Sequence, residues 1–299
     1  MMKRILALCA ALLLPMCALA ETGTVCYSWD QEFPNMPVLT HHAYRAEPAL
    51  PDGDALAGAL WAGLPWSKQS DELGVRYTLA AADNPRGRFR EDLYVEDDAA
   101  FYLWEYNEKT PAQAEIGGCD RAFGQAEAFL RAWLPAEMLE HPLPQYGSFD
   151  EDGVPTDRYY AFQWAQPVEP GVFAHESAIE AAYYSYGVAH VNLRWHAYVP
   201  ADGDRTPEYI TAEQALHSLN HAAGNIDPEH ICTSFDDPED ALVGIQPVFA
   251  NVFSQDETMT LCWAFSIRDA RKGDVRTVLV DAIGGDVYDD HDGRLQGEI

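Results

Sequence analysis

The stretch Ile210-Thr211-Ala212-Glu213-Gln214-Ala215-Leu216 carries the clearest fold signal in the chain. Thr211 and Gln214 stand at the spacing of a capping box, in which each side chain satisfies the other residue's backbone N–H. Ala212, Ala215, Leu216 and Leu219 recur at i, i+3, i+4 and i+7, one apolar helical face. Gly224 supplies a stop. Apolar segments of strand length follow at 243–253, 259–267 and 275–282. A helix laid over such an antiparallel meander buries one face of each.

Working outward, the same order occurs once before. Ala122, Ala126, Phe129, Leu130 and Trp133 make one helical face over 120–134, with Asp120 placed to cap it and Pro135 to end it. Strand segments follow at 159–166, 176–184 and 188–199, with Tyr186-Gly187 as the turn between the last two. Pro200-Ala201-Asp202-Gly203-Asp204 reads as a connector. Residues 21–70 hold prolines at 34, 37, 48, 51 and 65 and one short helix near 54–61. Strand signals at 75–79, 89–95 and 100–106 come next, the last two flanking the turn Glu96-Asp97-Asp98. The expected fold is α+β, with two helix-plus-antiparallel-meander units over 116–200 and 207–290. A loop-rich and β-rich N-terminal region, 21–115, precedes them.

The sequence begins as an exported protein does. Lys3 and Arg4 precede an apolar run, and Cys17-Ala18-Leu19-Ala20 offers a cleavage site after Ala20. At about 20 residues for a span, this segment is too short and is interrupted by Pro15. Secretion or residence in the cell envelope is the expectation, with a lipid anchor at Cys17 as the competing outcome. The 19 Lys and Arg face 48 Asp and Glu, a net charge of −29. Cleavage would remove two cations and no acids. Such a charge repels nucleic acid, and no membrane span is expected. At 47% hydrophobic residues the protein can nonetheless fill a core.

Four cysteines remain after cleavage: Cys26, Cys119, Cys232 and Cys262. Export permits disulfides. Cys232 and Cys262 share one expected unit and make the natural pair; Cys26 with Cys119 follows by elimination, and buried thiols are the other possibility.

Three segments of the second unit resemble a PepSY-like domain. They are Ile210 to Leu216, the strand Leu261-Cys262-Trp263-Ala264-Phe265, and the ending Val280-Asp281-Ala282-Ile283-Gly284-Gly285-Asp286-Val287. The resemblance spans 208–288; Gly284 stands where a Thr is common and Cys262 where a small residue is usual. Residues 116–200 lack the Asp-Ala-x-x-Gly ending. What the resemblance implies is an exported, non-catalytic module that binds or regulates a protein partner, with no catalytic residues and no cofactor.

The chemistry-bearing patterns are sparse. His217 and His221 have the i, i+4 spacing that lets two imidazoles share zinc, but they fall opposite the apolar face and no Glu follows His217. Acidic clusters at 150–153, 202–204 and 286–292 could attract calcium, although none has the spacing of an EF-hand. No G-x-S-x-G, H-E-x-x-H, P-loop or G-x-G-x-x-G motif occurs. A carboxylate pair for glycan hydrolysis needs no sequence proximity and stays open as an alternative, as does a calcium-responsive structural role. Aromatic residues crowd the first unit. Tyr160, Phe162 and Trp164 share one strand face while Tyr159 points away. Tyr159, Tyr183 and Tyr186 are the candidate binding-surface aromatics, suited to a protein or glycan ligand.

Overall fold

The structure, a computed structural model, describes residues 27–85, 90–104, 115–143, 146–149, 155–201, 207–225, 241–251, 258–268, 275–289 and 293–294. Strand β1 (Ala43–Pro48) and helix α1 (Gly53–Leu60) come first. Strands β2 (Ser67–Ser70), β3 (Val75–Leu79), β4 (Glu91–Val95) and β5 (Ala99–Trp104) then run antiparallel to one another in sequence order. Helix α2 (Cys119–Arg131) and a 3₁₀ turn (Ala136–Leu139) lead into β6 (Tyr146–Phe149), β7 (Pro155–Glu169), β8 (Val172–Tyr184), β9 (Gly187–Arg194) and β10 (His196–Pro200). Helix α3 (Ala212–Asn225) precedes β11 (Ala241–Ala250), β12 (Thr258–Arg268), β13 (Val275–Asp281), β14 (Val287–Asp289) and β15 (Gly293–Arg294).

These strands do not form two separate helix-plus-meander units behind a distinct N-terminal region. They join in one mixed, predominantly β, 15-stranded sheet whose main path is β15-β14-β13-β12-β11-β8-β9-β5-β4-β3-β2. Two pairings overturn the expected α+β arrangement. Strand β5 pairs antiparallel with β9, so the N-terminal strands complete the sheet that α2 covers. Strand β8 pairs in parallel with β11, through Val248–Phe173 and Phe249–Ala174, and stitches the two halves together. Alternation of apolar residues marks a strand and its buried face but carries no record of its neighbour.

Two large apolar cores, each under a helix, and a smaller cluster of Val248, Ala250, Cys262, Ala264, Leu279 and Tyr288 lie on this sheet. Under α2, Ala122, Ala126 and Leu130 pack with Phe162, Trp164, Ile179 and Val191, and the same core contains Leu93 and Tyr102 from β4 and β5. Under α3, Ala212, Ala215 and Leu219 pack with Leu261, Trp263, Phe265 and Val280. Strand β8 serves both: Val172 and Ala174 belong to the second core, Ile179, Ala181 and Tyr183 to the first. The segment expected as a single strand over 188–199 divides at Trp195, and β10 turns away to pair with β1.

The residues that carry the PepSY-like resemblance meet in space. The capping box forms, with the Thr211 N–H donating to Gln214 Oε1 at 2.8 Å and the Gln214 N–H to Thr211 Oγ1 at 3.2 Å. One residue earlier, the Ile210 N–H donates to the Ala282 carbonyl at 2.8 Å, and the Trp263 indole N–H donates to the Ile210 carbonyl at 3.0 Å. The Asp281 carboxylate accepts the Gly284 N–H at 2.5 Å and closes the turn out of β13. Gly285 has φ +76°, and a Cβ there would stand 3.0 Å from Ser218 Oγ on α3. Glycine is needed both for the turn and for the close approach of the helix.

The N-terminal arm, rather than trailing as a loop, closes the flank of the second core. Trp29, Phe33, Met36 and Leu39 pack against it. Tyr27 and Asn220 exchange hydrogen bonds: the Tyr27 N–H donates to Oδ1 at 2.7 Å, and the Asn220 side-chain amide donates to the Tyr27 carbonyl at 2.9 Å. At the arm's far end, buried Glu169 accepts the Thr40 and His41 N–H groups at 3.1 and 3.0 Å and the Tyr44 hydroxyl. Burial alone would push the Glu169 carboxyl up, but those donors outweigh it and hold it below its ordinary value.

Candidate functional site

Among the described residues, no comparable strap packs along the flank of the first core. There a cavity of about 420 Å³ opens between α2, the segment leading into it and the β8–β9 turn. Glu115 and Ile116 line it from the entering segment, Arg121, Gln125 and Phe129 from α2, and Tyr183, Ser185, Tyr186, Gly187 and Val188 from the hairpin.

The position of α2 explains which side chains arrive there. Asp120 does not cap the helix. The N-cap is Gly118, at φ +101°, which has no side chain to offer. The helix start is held instead from β7. Asp157 accepts the Gly117 N–H at 2.6 Å, the Gly118 N–H at 3.1 Å and the Tyr160 hydroxyl at 2.8 Å, while its carbonyl accepts the Ile116 N–H at 2.9 Å. The Gly117 amide, then the Tyr160 hydroxyl, hold the Asp157 carboxyl below its ordinary value. Burial and that same hydrogen bond push the Tyr160 phenol up to about 12. With Ala122, Ala126 and Leu130 turned into the core, Arg121 and Gln125, one helical turn apart, are left exposed on the flank facing the hairpin.

Of the three aromatic residues singled out, two reach this cavity. Tyr183 is not exposed: it is 7% accessible, part of the first core, and its hydroxyl donates to Gln125 Oε1 at the cavity wall. Burial raises its phenol above the ordinary value, against a smaller opposing pull from Arg121. Tyr186 is half-buried in the turn and stacks flat on Tyr184, with ring centroids 5.3 Å apart and planes 1° from parallel. The Trp104 ring lies 5.4 Å from that of Tyr186, tilted by 31°. Tyr159 goes elsewhere. It faces Tyr184 across the β7–β8 pairing at 5.2 Å and does not line the cavity, because Tyr184 and Tyr183 point to opposite sides of β8. The polar part of the lining, Glu115, Arg121, Gln125 and Ser185, escaped the sequence reading. The available signal was the polar i, i+4 pair Arg121/Gln125 beside the apolar face of an amphipathic helix.

The cysteine pairings involve Cys26 and Cys232, which lie outside the described residues, and no disulfide forms among the described ones. Cys262 is buried in β12; Cys119 opens α2, where burial, Asp120 and Asp157 push its thiol up and away from a reactive thiolate. His217 and His221 are exposed on α3. The acidic clusters at 150–153 and 202–204, and residues 290–292 of the third, lie outside the described residues. Among the described residues no three metal-ligating side chains gather, and no helix is long and apolar enough to cross a membrane.

Two adjacent buried carboxylates, Glu91 and Asp92, fall on opposite faces of β4. Glu91 accepts the Trp61 indole N–H at 2.9 Å and the Asn84 amide at 2.8 Å. Asp92 is gripped by Arg76 at 3.1 and 2.6 Å and by Thr78 at 2.6 Å. Glu91 is committed to holding the end of α1 and the β3–β4 loop, and Asp92 to tying β4 to β3, and a pair on opposite faces cannot flank one scissile bond.

Comparison with known proteins adds little. No protein-family model matches the chain, and no curated protein matches it in sequence. Among solved structures, an uncharacterized protein from Eubacterium rectale ATCC 33656 superposes with a TM-score of 0.49 at 14% identity, covering 84% of this chain and 86% of that one. The Bacillus megaterium YpeB C-terminal domain does so with a TM-score of 0.44 at 12% identity, covering 81% of this chain and 98% of that domain. Likeness at this level assigns neither family nor function.

Proposed function

We propose that this chain is an exported, non-catalytic binding or regulatory protein of the cell envelope or extracellular space, and that its partner is a protein. The observation that carries this reading is the cavity beside α2. It combines an aromatic wall (Phe129, Tyr183, Tyr186) with exposed polar groups (Glu115, Arg121, Gln125) on and beside α2 and the β8–β9 hairpin, which a buried core holds in place. Aromatic residues and Arg beside a rigid concavity are the composition of a binding hot spot. The PepSY-like motifs support the same reading, since they build structure around α3 and supply no reactive group. Glu115 is the one carboxylate among the described lining residues, so the two-carboxylate chemistry of sugar hydrolysis has no footing at this cavity.

The experiment is affinity capture from the native envelope with the mature protein crosslinked in place, comparing wild type with Tyr186→Ala. A saturable protein partner held by wild type and weakened at least about tenfold in the variant is the expected result. Equal capture by both would remove the cavity from the interaction, and recovery of glycan alone would remove the protein partner.

A further inference from the structure

The described lining of the cavity carries one cation, Arg121, and one carboxylate, Glu115. Arg121 lines it and makes no ion pair or hydrogen bond with a described residue. Elsewhere in the same helix Arg131 holds Glu127 at 2.8 Å, and on β3 Arg76 holds Asp92 at 2.6 Å. Arg121 stands among acids in a protein with 48 of them, and still none of the described ones engages it. Asp157, which holds the start of the same helix, gives its carboxylate to the Gly117 and Gly118 amides and the Tyr160 hydroxyl.

The guanidinium is also positioned. A Cβ on Gly117 would stand 3.2 Å from Arg121 Nη1, so the side chain, although exposed, lies back along the entering segment. Gln125, whose carbonyl is fixed by the Tyr183 hydroxyl, sits one helical turn on, and Phe129 follows at the next. A planar fork of donors beside an aromatic wall matches a carboxylate: two N–H groups meet two oxygens, and the apolar wall lowers the local dielectric that would weaken them. The wider field of the protein is strongly negative, which disfavours polyanions and leaves a compact, singly charged anion as the fitting ligand.

We propose that this cavity recognises a carboxylate on the partner protein, with Arg121 as its anchor; the proposal rests on the binding role assigned above. A Glu or Asp side chain and a free polypeptide carboxyl terminus present the same group, and the test separates them. Three blocked dipeptides would be titrated calorimetrically into the mature protein: N-acetyl-phenylalanyl-glutamic amide, N-acetyl-phenylalanyl-phenylalanine with a free carboxylate, and the neutral N-acetyl-phenylalanyl-glutamine amide. At least one charged peptide should bind about tenfold to a hundredfold more tightly than the neutral one, as charge-assisted hydrogen bonds do. Which of the two binds identifies the source of the carboxylate. Arg121→Gln should erase the preference without moving the melting temperature, because the side chain is exposed and supports no described neighbour.

Equal binding of all three, a preference that survives Arg121→Gln, or no binding at millimolar concentration would each overturn the proposal. Capture of the envelope partner tells that failure apart from failure of the binding role. A partner lost by Tyr186→Ala but held undiminished by Arg121→Gln would leave the cavity standing and remove the carboxylate.

Discussion

Helices α2 and α3 cover the same sheet in different ways. Helix α3 is held at its start by neighbours in sequence, Thr211 with Gln214, and by a turn that Asp281 closes on itself. The arm from Tyr27 to His41 then packs along that half. Helix α2 begins on a glycine with no cap of its own, borrows Asp157 from a strand 39 residues away, and keeps an open cavity on its flank. A helix secured locally and strapped over is a structural element; one secured from a distance, with polar side chains left along its edge, has surface to spare for a partner.

The largest expected effect lies in the strapped half. Trp263→Ala removes a fully buried indole and the hydrogen bond that fixes Ile210, and should cost about 3–5 kcal/mol in urea denaturation. A loss near 1 kcal/mol would mean that α3 does not depend on this contact. Gly285→Ala comes next, at about 2 kcal/mol, from strain at φ +76° and crowding of Ser218. Thr211→Ala should cost about 1 kcal/mol through the capping box, whereas Asp120→Ala should cost only about 0.3 kcal/mol, since its side chain caps nothing. Equal losses for that last pair would break the contrast between a local and a borrowed cap.

The smallest effects are the pH responses, and they differ in sign. The Gly117 amide holds Asp157 below its unfolded value of 3.8, so the unfolded state binds more protons. Its stabilisation is fully present above 3.8 and is lost as pH falls through the folded value. Burial raises Asp281 above 3.8, so there the folded state binds more protons, and stability falls as pH rises through the window between the two values. Relative to wild type, Asp157→Asn should therefore lose its disadvantage as the solution is acidified. Asp281→Asn should gain on wild type as pH rises. Denaturation midpoints measured across the acid range test both, and parallel curves for the two variants would contradict the assignment.

The same contrast governs what could be read from the sequence. The capping box at Thr211 and Gln214 is written in adjacent residues, and it formed. The apolar face of α2 was equally legible in Ala122, Ala126 and Leu130. Most central strands were also visible, because alternation exposes them: the segment expected at 75–79 is β3. Partnership was not. Nothing in β5 names β9, and nothing in β8 says that one end will pair with β11, so a continuous sheet was read as separate units. The short edge strands β2, β14 and β15 lack enough residues to show a period. The candidate site suffered likewise. Tyr183 and Tyr186 drew notice for their size, but Arg121 becomes significant only once the hairpin is folded against its helix. Asp157, which holds that helix in place, looked like one acid among 48.

The central claim is that the open flank of α2, and not the strapped flank of α3, meets the partner. Photo-crosslinking residues introduced singly at Tyr186 and at His217, in the protein expressed in its native cells, test it directly. The account predicts a discrete, saturable protein adduct from position 186 and none from 217. An adduct from 217 alone, or the same adduct from both, would contradict it.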